Sequence, residues 1–139
     1  MAQLALAESL TLTVDPRPLF VPSGLLVIPG ERYRFAAGGK WQDWFRTVGP
    51  TGWKLWPLHL KNRVPGAAFF YLCASIGADD ANAFAVGAGL DWTVPDAAAN
   101  APDRQLYFFA NDWRACYGNN HPLPPEQGGP LTVAITRIA

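Results

Sequence analysis

Leu10, Leu12 and Val14 alternate with threonines, the period-two signature of a half-buried strand. Asp15-Pro16 and Pro18 end it. Residues 24–28 form a short apolar run closed by the Pro29-Gly30 turn. Tyr33 and Phe35 then alternate with Arg32 and Arg34 as far as Gly38-Gly39, and the two segments are expected to pair as a hairpin. Residues 67–76, AAFFYLCASI, are continuously apolar and predict a central strand covered on both faces. Residues 83–86 and 90–94 flank Gly87 and Gly89, which predicts a second hairpin. QLYFFA at 105–110 reads as a strand, and LTVAITRI at 131–138 alternates strictly and reads as the last one.

Two stretches lack a clear period. Residues 40–65 place Trp41, Trp44, Trp53 and Trp56 among glycines and prolines, which predicts a long ordered excursion of the kind that often carries function. Residues 96–103 form an alanine-rich loop, with a helical turn over 96–100 as the other reading. Thirteen glycines and thirteen prolines punctuate the chain, as expected for many short elements joined by tight turns. With roughly eight short strands and no amphipathic helix, the expectation is an all-β fold. Its form is a jelly-roll-type β-sandwich of two antiparallel sheets in a single domain, 1–139.

Composition narrows the function classes. Half of the residues are apolar and 16% are charged, enough for a core and too little charge for a disordered chain. Eleven basic residues balance eleven acidic ones, so no long-range field attracts nucleic acid. No apolar run reaches membrane-spanning length, and the first residues lack a basic leader. The expectation is a protein cytoplasmic as synthesised, with export by a non-classical route left open. Cys73 and Cys116 are expected as free thiols and are too few for a zinc site. Six tryptophans are a heavy load for 139 residues, and some are expected at the surface for binding.

The segment that carries chemistry is NDWRACYGNN, 111–120. Asp112, Asn119 and Asn120 offer hard oxygen donors within a short arc, and Gly118 is expected to let the backbone bend between them. Calcium takes six to eight oxygens from carboxylates, amides and main-chain carbonyls. One carboxylate and two amides leave positions for exchangeable hydroxyls or water. The same residues are also the commonest turn formers, so an ordinary loop stands beside the calcium reading.

The string from Leu106 to Asp112, then Tyr117-Gly118-Asn119-Asn120, then the strand 131–135, resembles the C-terminal third of the PA-I galactophilic lectins of bacteria. Further points in the same order are Pro29-Gly30, residues 33–37, Gly49-Pro50-Thr51-Gly52, Ile76-Gly77 and Gly89-Leu90. The resemblance implies a galactose-binding-like sandwich with one bound calcium and no catalytic activity. It implies calcium ligation by the Asp112 carboxylate, by the side-chain oxygens of Asn119 and Asn120, and by the main-chain carbonyl of Cys116. It places a fifth ligand at Asp43, through its carbonyl or its carboxylate. Asp112 and Asn119 would also contact the sugar. Family members are homo-oligomers, and the alternating last strand is expected to be available for edge pairing.

Two departures bear on the sugar. Where the family has a histidine before a proline and a glutamine three residues on, this chain has Trp56 and His59. Galactose specificity is therefore open. Trp56 either stacks on a sugar ring or packs on the sandwich edge, and Trp53 is a second candidate of that kind. The insertion HPLPPEQGGP, 121–130, begins beside the expected ligands and either walls or covers the pocket, with His121 as a candidate contact. The competing reading is a non-catalytic protein–protein interaction module whose tryptophans serve a partner. A hydrolase is disfavoured because His59 and His121 are the only histidine bases, and no serine elbow, HExxH or phosphate loop occurs.

Overall fold

Twelve short strands in three sheets make up the computed structural model, which describes residues 1–139. The first sheet runs β1 (Ser9–Thr13), β12 (Thr132–Arg137), β3 (Arg32–Gly38), β9 (Gly89–Thr93). The second runs β2 (Val21–Leu26), β10 (Gln105–Ala110), β7 (Phe69–Ile76), β6 (Thr51–Trp53), with β8 (Ala83–Ala85) also on β7. The third, β11 (Asn120–Pro122), β4 (Trp41–Asp43), β5 (Arg46–Val48), is small. Every strand pair is antiparallel.

The two larger sheets pack face to face as a sandwich. Tyr33 and Phe35 of β3 and Val133 and Ile135 of β12 are buried, while Arg32 and Arg34 are exposed, as the alternation predicts. Leu72 and Ala74 of β7 and Leu106 and Phe108 of β10 join them in one core. Phe35 and Phe108 meet edge to face across the layers, ring centroids 5.8 Å apart. Burying each such side chain contributes roughly 1.5–3 kcal/mol. Trp41 ties the third sheet to this core: it is fully buried, packs edge-on to Phe70 at 5.3 Å, and donates its indole N–H to the Gly49 carbonyl.

Several expectations hold. Strands lie at 105–110, 69–76 and 132–137, and residues 96–100 form a 3₁₀ turn. Both expected hairpins are corrected. β2 pairs with β10 while β3 pairs with β12 and β9; β8 pairs with β7 while β9 pairs with β3. In both cases the two successive strands lie in different layers, because apolar alternation encodes which face is buried and not which strand is adjacent. The last strand is also not an edge. β12 has β1 on one side and β3 on the other, so it offers no free edge for another copy. Residues 40–65 hold three more three-residue strands and a 3₁₀ turn at Leu58–Lys61. Cys73 and Cys116 are unpaired. No helix is long and apolar enough to cross a membrane.

Candidate functional site

β7 and β10 lie side by side in the second sheet, and the start of one and the end of the other, Phe69 and Asp112, reach one cavity. The chain must leave β10 in a fixed direction, and Asn111 sets it. Its side chain accepts from the Val64 N–H at 2.9 Å and donates to the Val64 carbonyl at 3.0 Å. Its own carbonyl accepts from the Phe70 N–H at 2.7 Å. Arg63 braces the same corner. Its guanidinium is buried, donates to Asp80, to the Leu19 carbonyl and to the Tyr117 hydroxyl, and lies 3.6 Å from the Phe109 ring centroid. Tyr117 in turn donates to the Ala110 carbonyl. A 3₁₀ turn, Arg114–Asn119, follows and delivers Asn120 into β11.

That register brings the two distant parts of the site together. Asn120 stands opposite Asp43 in the β11–β4 ladder, and the Trp44 N–H donates to the Asn119 carbonyl at 2.9 Å. Asp43, Asp112 and Asn120 are buried. Asp43, Asp112, Cys116 and Asn119 line a cavity of about 200 Å³ together with Trp44, Trp53, Leu55, Leu58, Phe69 and Trp113. A larger cavity of about 510 Å³, bordered by Phe84, Trp92 and the 95–102 loop, contains no ionisable side chain. Its volume exceeds the first, but its chemistry is poorer.

The polar atoms of the smaller site are under-satisfied. Asp112 Oδ1 accepts from the Trp113 N–H at 2.7 Å, but Asp112 Oδ2 has no partner. Asn119 Oδ1 and Asn120 Oδ1 are also buried without partners, although Asn120 donates its amide to the Pro16 carbonyl at 2.8 Å. Buried oxygens are normally hydrogen-bonded, and one left without a partner costs about 1–3 kcal/mol. Three such oxygens lie on one loop, at Asp112, Asn119 and Asn120.

The carboxylates respond to this burial. Desolvation pushes Asp112 up to about 7; the Trp113 N–H opposes the rise, the neighbouring Asp43 charge adds to it and Arg63 counters it. Asp43 is raised by burial, against the Trp53 N–H, which donates to its Oδ2 at 3.0 Å, and Arg46. The Cys116 thiol is raised by burial and then by both carboxylates, so it stays protonated and is a poor soft ligand. Nowhere do three or more His, Cys, Asp or Glu side chains converge on a common point, so the donor set does not suit zinc. It is two carboxylates and two amides, all hard oxygen.

The remaining expected residues are dispersed. Trp53 stacks on Phe69 at 5.1 Å, lies under the Arg46 guanidinium at 4.3 Å, and holds Asp43; it is a wall and a brace. Trp56 is 77% exposed and outside the cavity lining. His59 is buried in the turn behind that wall, its Nδ1 without a partner, also outside the lining. His121 is exposed and pairs with Gln42 in the β11–β4 ladder. The 121–130 insertion contributes no lining residue, so it neither walls nor covers this cavity; Leu123 is buried and anchors it. Gly118 is not in the left-handed region, so the bend does not depend on glycine.

Trp44, Leu55, Leu58 and Trp113 line the site without having been singled out as such. Trp44 carries the clearest structural mark, a positive φ of 55° that a bulky residue adopts only under constraint. Its signal in the sequence was its place next to Asp43. The Trp113 indole donates to the Leu58 carbonyl at 3.1 Å and so closes one side of the mouth.

No family model matches the chain, and no curated protein matches it in sequence. Among solved structures, it is similar to the N-terminal domain of EclA, described as a PllA-like lectin. The identity is 21%, the TM-score 0.61, and the match covers 92% of this chain and 95% of that one. At that identity the likeness establishes the fold: an all-β, antiparallel, lectin-like sandwich over nearly the whole chain.

Proposed function

We propose that this protein is a calcium-dependent carbohydrate-binding protein without catalytic activity, of the PA-I lectin type. The observation that carries the reading is the set of orphaned oxygens, Asp112 Oδ2, Asn119 Oδ1 and Asn120 Oδ1, beside the second buried carboxylate, Asp43. The donor set fits calcium. Two carboxylates balance its charge, and the amides are hard neutral oxygens. With the Cys116 carbonyl, five residues would hold the ion, fewer than its six to eight donors. The bound ion would supply a Lewis-acidic centre for two sugar hydroxyls, with water in their place otherwise.

The walls suit a sugar. Trp44 and Trp113 offer flat apolar surface at the mouth, where ring C–H groups stack. Trp53 is already engaged by Phe69 and Arg46, so it supports the ion rather than the sugar. With Trp56 and His59 outside the lining, the groups that would select galactose in the family have no counterpart at the mouth, and the preferred sugar is expected to differ.

The test is calorimetric titration with calcium, followed by a glycan array read with calcium and with excess chelator. Saturable calcium binding and chelator-sensitive glycan signals are expected. Glycan binding that persists unchanged in chelator would reject the mechanism.

A further inference from the structure

We propose that the rim of the cavity docks onto an anionic lipid surface. Eight large hydrophobic side chains are exposed in the whole chain, and six of them, Trp44, Phe45, Leu55, Trp56, Leu58 and Leu60, belong to two short segments, 44–45 and 55–60, each of which contributes lining to one mouth. Trp44, Leu55 and Leu58 line that mouth, and Phe45 meets Trp44 edge-on at 4.5 Å. Singly scattered apolar residues need no explanation, but a cluster rimmed by polar groups marks an interaction face.

The charge around the cluster selects the occupant. No aspartate or glutamate occurs between Asp43 and Asp79. Arg46, Lys54 and Lys61 in that interval are exposed, and none of them forms an ion pair. Exposed Trp and Leu with flanking cations is the composition that enters the headgroup boundary of an anionic membrane. A second copy is a poorer partner. A two-fold contact would set this cationic patch against itself. A sugar's apolar substituent accounts for the lining residues but not for Phe45, Trp56 and Leu60, which stand outside the cavity.

The docking is separable from sugar and calcium binding. The full-length protein is sedimented in chelator with vesicles free of glycolipid, made of phosphatidylcholine alone or with about 30% phosphatidylserine, an anionic surface of the kind that attracts basic segments. Co-sedimentation with the anionic vesicles only is expected, with a blue shift of tryptophan emission. The triple variant Phe45→Ser, Trp56→Ser, Leu60→Ser is expected to bind at least about tenfold more weakly. Lys54→Glu with Lys61→Glu is expected to lose at least about 25-fold, roughly fivefold for each cation.

All of these substitutions are at exposed positions, and circular dichroism checks that the fold is retained. Failure of the wild type to sediment with anionic vesicles overturns the proposal, as does undiminished binding by the triple variant or binding only with calcium. Self-association of the wild type that the triple variant abolishes, without vesicle binding, assigns the face to a second copy instead. Vesicle docking with a blank glycan array, or the reverse, tells the two readings apart.

Discussion

Asp43 and Asn120 face each other across the β4–β11 ladder, so strand pairing aligns two buried polar residues that lie far apart in the sequence. The cost of gathering buried carboxylates and unpartnered amide oxygens is thus met by a rigid scaffold. Burial raises both carboxyls, and the Asp43 charge adds to the rise at Asp112. Asp112→Asn should therefore separate function from fold. The amide keeps the shape and removes a buried charge, so melting without calcium should be unchanged or slightly higher. Calcium affinity should fall by more than the roughly 10–100-fold typical of losing an outer partner. Differential scanning fluorimetry with and without calcium checks both halves.

Trp53 orients Asp43 from outside the donor set. Trp53→Phe keeps an aromatic ring against Phe69 and deletes the indole N–H that donates to Asp43 Oδ2, together with part of the ring surface under Arg46. Calcium affinity should drop by roughly 10–100-fold while the fold is kept. Calorimetry reads the affinity, and an unchanged dissociation constant would mean that the bond does not orient the carboxylate.

Strands whose pattern is strong were legible: β10, β12 and β7 all sit where alternation or a continuous apolar run placed them. What failed was partnership. β2 and β3 are consecutive and short-linked, yet they lie in different sheets because their partners, β10 and β12, come from the far end of the chain. Residues 40–65 were opaque for the same reason. β4 to β6 are three residues long, and although β4 and β5 pair locally, β4 also pairs with β11 and β6 pairs with β7, which no local window contains. The 111–120 loop drew attention because Asp112, Asn119 and Asn120 fall within ten residues, and the structure brings Asp112 and Asn119 to one cavity. The exposure of Trp44 and the burial of His59 were not, since both depend on neighbours that only the fold supplies.

The raised Asp112 carboxyl predicts a pH dependence with a definite sign. Between its unfolded value, near 4, and about 7, the native metal-free protein holds a proton that the unfolded chain has released. The contribution of Asp112 to stability is therefore fully present at low pH and declines as pH rises through that window. Calcium requires the ionised form, so it must displace this proton. Melting of the metal-free protein should fall from pH 5 to pH 7.5 as far as Asp112 governs it. The increase in melting temperature caused by calcium should be larger at pH 7.5 than at pH 5.5. An equal calcium shift at both values would show that calcium binding displaces no proton from Asp112.

Arg63 is the buried guanidinium behind the site, and its replacement should be felt in stability before binding. Arg63→Met removes the partner of Asp80 and leaves the Leu19 carbonyl without its donor and Tyr117 Oη without one of its partners. Asp80 is partly exposed and retains Arg114, so the cost is that of the hydrogen bonds the buried guanidinium makes, about 1–3 kcal/mol. Urea unfolding should show an unfolding free energy lower by that amount, read as a lower midpoint at an unchanged slope.

Two glycines near the site should answer oppositely to the same change. Gly52 in β6 has φ of +59°, and a Cβ there would overlap the Phe69 carbonyl oxygen, a backbone atom held by the β6–β7 pairing. Gly52→Ala therefore forces the β6 strand away from β7 and displaces Trp53, the brace of Asp43. A loss of at least about 2 kcal/mol is expected, above the usual penalty for alanine at positive φ because a rigid clash is added. Gly118 lies between the donors, yet its φ is not positive and a Cβ there would meet nothing within 4 Å. Gly118→Ala should change stability by no more than about 0.5 kcal/mol, the range of an uncrowded surface substitution, and should keep calcium binding. Denaturant melts and calcium titrations of the two variants decide the matter. Loss of calcium binding in Gly118→Ala would mean that the bound loop takes up a backbone conformation that the metal-free one does not have.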